Sequence, residues 1–180
     1  MWQYLFLVRK LKYGREQALR EIYERYKDNL FTMAVLLLGA TDDAAEILHD
    51  VFVGLAKDVQ QLSFWPKLSN QLIVRVAEAI RKKFSTRMYE IRQFDRRPEG
   101  AFDFSHHDLP AATDEQGRML LDALGRIRFD RKEVIILYLR GELSFRQIAK
   151  LQGTSASMAR ARYYNGLDEV RSFLRDKAIG

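Results

Sequence analysis

The sequence predicts an all-α protein made of two small helical domains that a flexible acidic linker joins. In nearly every segment with a clear period, apolar residues recur at intervals of three and four, and no sustained strand alternation occurs. Residues 95–117 combine two prolines, two glycines and acidic charge without a usable period, as linkers do. We therefore predict a first domain over 1–94 and a second over 118–180.

The composition narrows the class of protein. Hydrophobic residues make up 47% of the 180 residues, which is enough to form a packed core. Cysteine is absent, so disulfides, thiolate metal sites and cysteine nucleophiles are excluded, and the cytoplasm is the expected compartment. The longest strongly apolar stretch, 31–40, is far shorter than the ~20 residues that a membrane-spanning helix needs. We expect neither membrane insertion nor secretion.

The net charge of +6 is unevenly distributed along the chain. Residues 81–97 carry seven basic and two acidic side chains, whereas 98–117 carry five acidic and no basic ones. Residues 118–180 are basic again, with thirteen basic against seven acidic side chains. Because Lys and Arg gain affinity for phosphates by releasing counterions, two basic blocks indicate two contacts with a polyanion. Charge alone is a weak signal, since many basic proteins never bind nucleic acid.

Three helices are predicted in the first domain. The first, from residue 14 to about residue 38, carries one apolar stripe: Ala18, Ile22, Tyr26, Leu30 and Met33. The run Thr41, Asp42 and Asp43 supplies capping oxygens for the second helix. Residues 60–70 contain a proline and are predicted to be a loop. The third helix, about 71–88, carries a basic cluster in its second half: Arg81, Lys82, Lys83 and Arg87.

The second helix has two different faces. Its buried face is predicted to hold Ala44, Ile47, Leu48, Val51 and Leu55. The polar residues Glu46, His49 and Asp50 lie largely on the other side. They are therefore candidates for binding a partner, although they could also simply solvate the helix.

The second domain is predicted to contain a helix-turn-helix. Its short helices fall at about 118–127, 131–139, 144–152 and 156–175. Ser144 can cap the third of these, Gly153 allows the backbone angles of a tight turn, and Ser155 can cap the last. This order of cap, turn and cap is the local signature of the motif.

The last helix presents a polar face with the chemistry for reading DNA. At about 100° per residue, its buried stripe holds Ala159, Tyr163, Leu167, Val170 and Leu174. The opposite arc holds Ser157, Ala161, Tyr164 and Asn165, with Arg160 and Arg162 on its flanks. Such side chains suit base edges and phosphates in a major groove. The alternative is an ordinary helical hairpin with a solvated basic face.

These residues resemble a known family. The segment DAAEILHDVF, from Asp43 to Phe52, looks like the core of conserved region two of extracytoplasmic-function (ECF) sigma factors. The segment RKEVIILYLRGELSFRQIAK and the helix-turn-helix after it are similar to region four. The two matches and the linker cover about 13–174. The resemblance implies an alternative sigma factor that binds RNA polymerase core and directs promoter-specific transcription initiation.

The resemblance also assigns residues to partners. It implies that Glu46, His49 and Asp50 contact the clamp helices of the polymerase β′ subunit. It also implies that the chain contacts the β flap of the polymerase. It places capture of a flipped base of the promoter's −10 element on Phe64, Trp65 and Asn70 of the region-two loop. The basic cluster of Arg81, Lys82, Lys83 and Arg87 then suits the DNA duplex backbone just upstream. Phe64 could instead be core. The resemblance places readout of the −35 element on Arg160, Tyr164 and Asn165, with Arg162 toward phosphate. Ser157, on the same polar face of the helix, is a further DNA-binding candidate. Many family members also bind an anti-sigma factor, so such a partner is possible for this chain. The acidic linker resembles the segment that passes through the active-site and RNA-exit path of the polymerase, and a solvated tether is the alternative.

Some positions depart from the family pattern. Leu72 and Ile73 stand where Trp-Leu is usual, and 77–79 replaces an Ala-Arg-Asn run. These changes leave an alternative function open, namely a sigma-derived DNA-binding regulator that cannot melt promoters. An enzyme is not expected. The adjacent His106 and His107 lie in the linker, and the sequence offers no catalytic triad, phosphate cradle or metal spacing, so no catalytic residue, cofactor or metal is predicted.

Overall fold

The protein is helical throughout the residues that the computed structural model describes, which are 9–13, 16–58, 67–93 and 115–179. After a helical turn at 9–12, the elements are α1 Glu16–Leu38, α2 Thr41–Lys57, α3 Leu68–Gln93, α4 Glu115–Arg126, α5 Phe129–Leu139, α6 Phe145–Gln152 and α7 Ala156–Ile179. No strand occurs in these ranges, and the all-α prediction is confirmed. None of the helices within them is long and apolar enough to cross a membrane.

Three predicted helix boundaries and one predicted helix cap were wrong. One of these boundaries is the end of α3, which extends to Gln93 and not to about residue 88. Leu68–Asn70, expected in a loop, forms the first turn of α3, because Leu68 is fully buried and the Lys67 carbonyl accepts a bond from the Gln71 amide at 3.1 Å. Residues 115–117, expected in the linker, are helical. Before α2 the N-cap is Ala40, without a side-chain bond, so Thr41 does not cap. Asp42 and Asp43 instead lie in the first turn, where negative charge favours the helix N-terminus.

The first half of the chain is a three-helix bundle of α1, α2 and α3. The predicted apolar faces point inward: Ala18, Ile22, Leu30 and Met33 of α1 and all five predicted positions of α2 are buried. On α3 the buried positions are Leu72, Val76 and Ile80. In the second half, α5, α6 and α7 pack on one another and α4 lies against α7.

The two halves pack against each other. Helix α1 contacts α5, and Val134, Leu137 and Ile148 belong to the same apolar core as the first half. Phe84 of α3 stacks on Phe129 of α5 with ring centroids 4.5 Å apart. Gly141 lies so close to α3 that an added Cβ would be 3.1 Å from the Ile73 side chain. The predicted domain boundary falls mainly in 94–114, outside the described residues, and stays a prediction.

Two charged residues of α5 are buried in this packing. Lys132 is 1% exposed and Glu133 is 0% exposed. Burial lowers the pKa of the Lys132 ammonium to about 8, from its ordinary value of 10.5. Burial also raises the pKa of the Glu133 carboxyl, against the opposing effects of hydrogen bonds from Gln152 and Arg81. The centre of the protein therefore contains ionisable groups as well as apolar ones.

Candidate nucleic-acid and polymerase interfaces

The helix-turn-helix has the local geometry that the sequence predicts. Ser144 forms a capping box with Gln147, whose side chain accepts from the Ser144 amide at 2.9 Å. Gly153 ends α6 in the left-handed region at φ 62°. Ser155 then accepts a bond from the Met158 amide at 3.1 Å, which caps α7. All three predicted roles are confirmed.

Replacing Gly153 with alanine should lower the free energy of unfolding by about 1 kcal/mol, because a side chain resists the left-handed conformation. An added Cβ meets nothing within 4 Å, so the cost is confined to the backbone. Gly54, inside α2, also has open space around its Cβ position, and Gly54→Ala is expected to be stabilising there. Urea denaturation of both variants checks this, and equal effects at the two glycines would contradict it.

The N-terminal part of α7 presents the predicted reading face to solvent. Ser157, Arg160, Ala161, Tyr164 and Asn165 are exposed, whereas Ala159 behind them is completely buried. Arg160 lies over the Phe145 ring at 5.5 Å, and Phe145 in turn stacks on Tyr138. Since cation–π and stacking contacts restrain the side chains, this face is both accessible and partly ordered.

Arg162 is placed differently from the rest of that set. Its Nη1 donates to Oε1 of Gln152 at 2.6 Å, and its Nε lies 3.3 Å from Oδ2 of Asp130. Its side chain is only 26% exposed. Arg162 is therefore held by its own half of the protein, although the sequence places it toward phosphate.

The three residues assigned to the polymerase are exposed on α2. Glu46 and Asp50 line a groove of about 880 Å³ between α2 and α3, together with Arg75 and Lys82. His49 lines a second groove, of about 650 Å³, between α1 and α2. The predicted amphipathic character of α2 is confirmed, and its polar side divides between two neighbouring grooves.

In the groove between α2 and α3, a candidate DNA-binding residue contacts a candidate polymerase-binding residue. Lys83 of α3 lies 2.7 Å from Asp43 and 2.5 Å from Glu46. Hydrogen bonds to Asp43 and then to Glu46 raise the pKa of the Lys83 ammonium. Because Lys83 and Glu46 are 32% and 65% exposed, this ion pair contributes little free energy and can exchange with other partners.

The other basic residues of α3 differ in their surroundings. Arg81 donates to Oε2 of Glu133 at 2.5 Å, which is a contact between the two halves. Lys82 is exposed. Asn70 is partly buried in the first turn of α3, where its side-chain oxygen accepts from Ser69 at 3.3 Å. Phe64 and Trp65 lie outside the described residues, as does the side chain of Arg87.

The structure also reveals a polar chain that the sequence did not. Gln152 donates to Oε2 of Glu133 at 2.7 Å and accepts from Arg162, so Arg81, Glu133, Gln152 and Arg162 form one connected series. Arg81 and Glu133 are 52 positions apart in the sequence. Neither helical periodicity nor a motif predicts that two such distant residues form a hydrogen bond. Within the described ranges, no group of three or more acidic or histidine side chains could hold a metal ion.

Comparison with solved structures shows where this fold occurs. No family model and no curated protein sequence matches the chain. The sigma factor RpoE from Bartonella quintana, solved in complex with the anti-sigma factor NepR, is 16% identical and has a TM-score of 0.71. That match covers 87% of this chain and 96% of RpoE. CnrH, solved with the cytosolic domain of CnrY, is 15% identical with a TM-score of 0.66, and the match covers 95% and 96% of the two chains. The predicted sigma-factor fold is confirmed.

Proposed function

We propose that this protein is an ECF-type sigma factor that binds RNA polymerase core in the cytoplasm and directs it to a promoter. The observation that carries the proposal is the exposed reading face of the helix-turn-helix. This face belongs to a fold that matches the RpoE structure over 87% of this chain. A fold alone does not determine function, so the proposal depends on the chemistry of that face. Arg160, Tyr164 and Asn165 offer a cation, an aromatic hydroxyl and an amide, which together can contact base edges and phosphates.

The polymerase is assigned to the exposed side of α2. Glu46 and Asp50 give this surface two carboxylates beside a groove, and His49 extends it around the helix. Charged side chains that stay solvated in the free protein can steer a complementary partner and set its register. Both solved neighbours are complexes with a second protein. We include an anti-sigma partner in the proposal for this reason.

A pull-down with purified core polymerase at moderate salt tests the proposal most directly, because only a sigma factor requires this partner. Retention of the chain on core enzyme is the expected result, and its absence would overturn the function. Permanganate probing of a polymerase–promoter complex then tests strand opening. Reactive thymines near the start site support a sigma factor. Their absence, with DNA binding retained, supports a regulator that cannot melt promoters.

Replacing Asp50 with lysine should weaken core binding about tenfold, or roughly 1.4 kcal/mol, because it reverses an exposed charge at the proposed contact. The fold should be unaffected, since Asp50 is exposed. Asp176 is also exposed, near the end of α7, and Asp176→Lys supplies the same charge change elsewhere. Binding of labelled variants to core enzyme checks this. Equal affinities for both variants would remove Asp50 from the contact.

A further inference from the structure

Three side chains, Tyr138, Phe145 and Tyr163, form an aromatic cluster beside the reading face of α7. They come from three different helices, α5, α6 and α7. The rings of Tyr138 and Phe145 are stacked, with centroids 4.5 Å apart and 5° between their planes. The Tyr163 ring lies 5.0 Å from the Tyr138 ring and 5.6 Å from the Phe145 ring. Each ring of the aromatic cluster therefore contacts both of the others.

The structure around the aromatic cluster holds the Phe145 ring in place. Phe145 is the first residue of α6, directly after the capping box that Ser144 forms with Gln147. Phe145 and Tyr163 also pack against the apolar core. Because stacked and edge-to-face contacts between rings depend on their orientation, Phe145 cannot rotate freely without losing them. The position of its ring is thus determined by three helices.

The aromatic cluster contacts one cation of the reading face. The guanidinium carbon of Arg160 lies 5.5 Å from the centroid of the Phe145 ring, within the distance at which a ring attracts a cation. Arg160 is exposed, and among the described residues it forms no ion pair. The nearby Arg162, in contrast, is held by Gln152 and Asp130. Phe145 is therefore the group that restrains the Arg160 guanidinium in the described part of the chain.

An aromatic ring can hold a guanidinium without occupying its hydrogen-bond donors. A carboxylate accepts N–H bonds from an arginine, and those donors are then lost to DNA. A phenyl ring attracts the cation through its π face and offers no lone pair, so the N–H groups of Arg160 stay available for an acceptor on a base. A freely moving arginine would also have to be ordered on binding, which weakens affinity. Contact with Phe145 orders Arg160 before DNA arrives.

We propose that Phe145 is a positioning residue for DNA readout, whose ring orients Arg160 on the exposed face of α7 toward the bases of a duplex. This proposal rests on the DNA binding that the proposed function assigns to the chain. Phe145 acts through Arg160 and does not itself contact DNA. Tyr138 and Tyr163 act one step further back, because they fix the Phe145 ring.

A double-mutant cycle in the full chain tests this role. The probe is the duplex that the parent protein enriches from a library of randomised sequences, with mixed-sequence duplex as the reference. Phe145→Leu keeps an apolar side chain but removes the ring, and the preference for the enriched duplex should fall about fivefold, the effect of ordering one long side chain on binding. In an Arg160→Ala background the same substitution should change the preference by less than about twofold. Phe145→Tyr keeps the ring and should retain the preference of the parent.

Phe129→Leu is the matched control, because it removes a ring that stacks on Phe84 in another part of the protein. It should lower the denaturation midpoint without changing sequence preference. Equal losses of preference in Phe145→Leu and Phe129→Leu indicate a structural effect and overturn the positioning role, as does a loss that persists unchanged with Arg160→Ala. If the parent protein enriches no sequence, the DNA readout of the proposed function fails, and the positioning role fails with it.

The restraint on Arg160 can also be measured without DNA and without a destabilising variant. In the parent protein, the Nε–H group of Arg160 should have a higher NMR order parameter than that of Arg146, an exposed arginine on α6. The side-chain protons of Arg160 should show a ring-current shift that Phe145→Tyr keeps and Phe145→Leu removes. An Arg160 side chain as mobile as Arg146 overturns the positioning role even if the protein binds DNA.

Discussion

Replacing Leu137 with alanine should lower the free energy of unfolding by about 3 kcal/mol, in the middle of the range for buried leucines. Leu137 is 0% exposed, and it lies in the apolar core that both halves share. Its truncation leaves a cavity between α5 and the first half, which the surrounding helices can only partly close. The loss should therefore be seen in the unfolding of the whole chain and not of the C-terminal half alone.

Two probes check that expectation. Trp2 and Trp65 are the only tryptophans and both belong to the N-terminal half of the sequence, whereas circular dichroism follows helices in both halves. The denaturation midpoint should fall equally by both probes. Leu139, 57% exposed on the same helix, is the matched control, and Leu139→Ala should change stability by less than about 0.5 kcal/mol. An unchanged tryptophan midpoint in Leu137→Ala would mean that the halves unfold independently.

Replacing Lys132 with methionine should raise the free energy of unfolding by about 2 to 3 kcal/mol at pH 7. Burial lowers the pKa of this lysine from 10.5 to about 8, so the unfolded chain binds its proton more tightly than the folded one. At about 1.4 kcal/mol per pKa unit, the charged form destabilises the fold by roughly 3.5 kcal/mol below pH 8. Methionine fills similar space without a charge to desolvate.

The sign of the pH dependence makes this prediction specific. Between about pH 8 and pH 10.5 the unfolded state holds more protons, so the stability of the parent protein rises with pH across that window. The advantage of Lys132→Met should therefore shrink and vanish near pH 10.5. Lys150 on α6 is exposed. The difference in free energy of unfolding between Lys150→Met and the parent protein should therefore not change between pH 8 and pH 10.5. A constant difference between parent and Lys132→Met from pH 7 to 10.5 would contradict the assignment.

Most of the fold could be predicted from local sequence signals. Helical periodicity identified the helices, because one face of each must be buried, and Ser144, Gly153 and Ser155 act within a few residues of their own positions. The boundary at Leu68 was missed because a nearby proline suggested a loop, while burial of that leucine decided the outcome. Local preference yields when tertiary packing favours the alternative.

The candidate site was predicted less completely. Exposure of Glu46, His49 and Asp50 follows from the amphipathic pattern of α2, which a single segment reveals. The partners of Arg81 and Arg162 could not be predicted, because they depend on how separate helices pack together. For the same reason, nothing in the sequence marks Glu133 as a buried charge. Phe64, Trp65 and the side chain of Arg87 stay predictions.

The ion pair between Lys83 and Glu46 links two binding events thermodynamically. On the proposed function, polymerase takes Glu46 and DNA takes Lys83, so the arrival of either partner removes a competitor of the other. Linkage is reciprocal, and each partner must then raise the affinity of the other by the same factor. An exposed ion pair contributes at most about 1 kcal/mol, which limits this cooperativity to about fivefold.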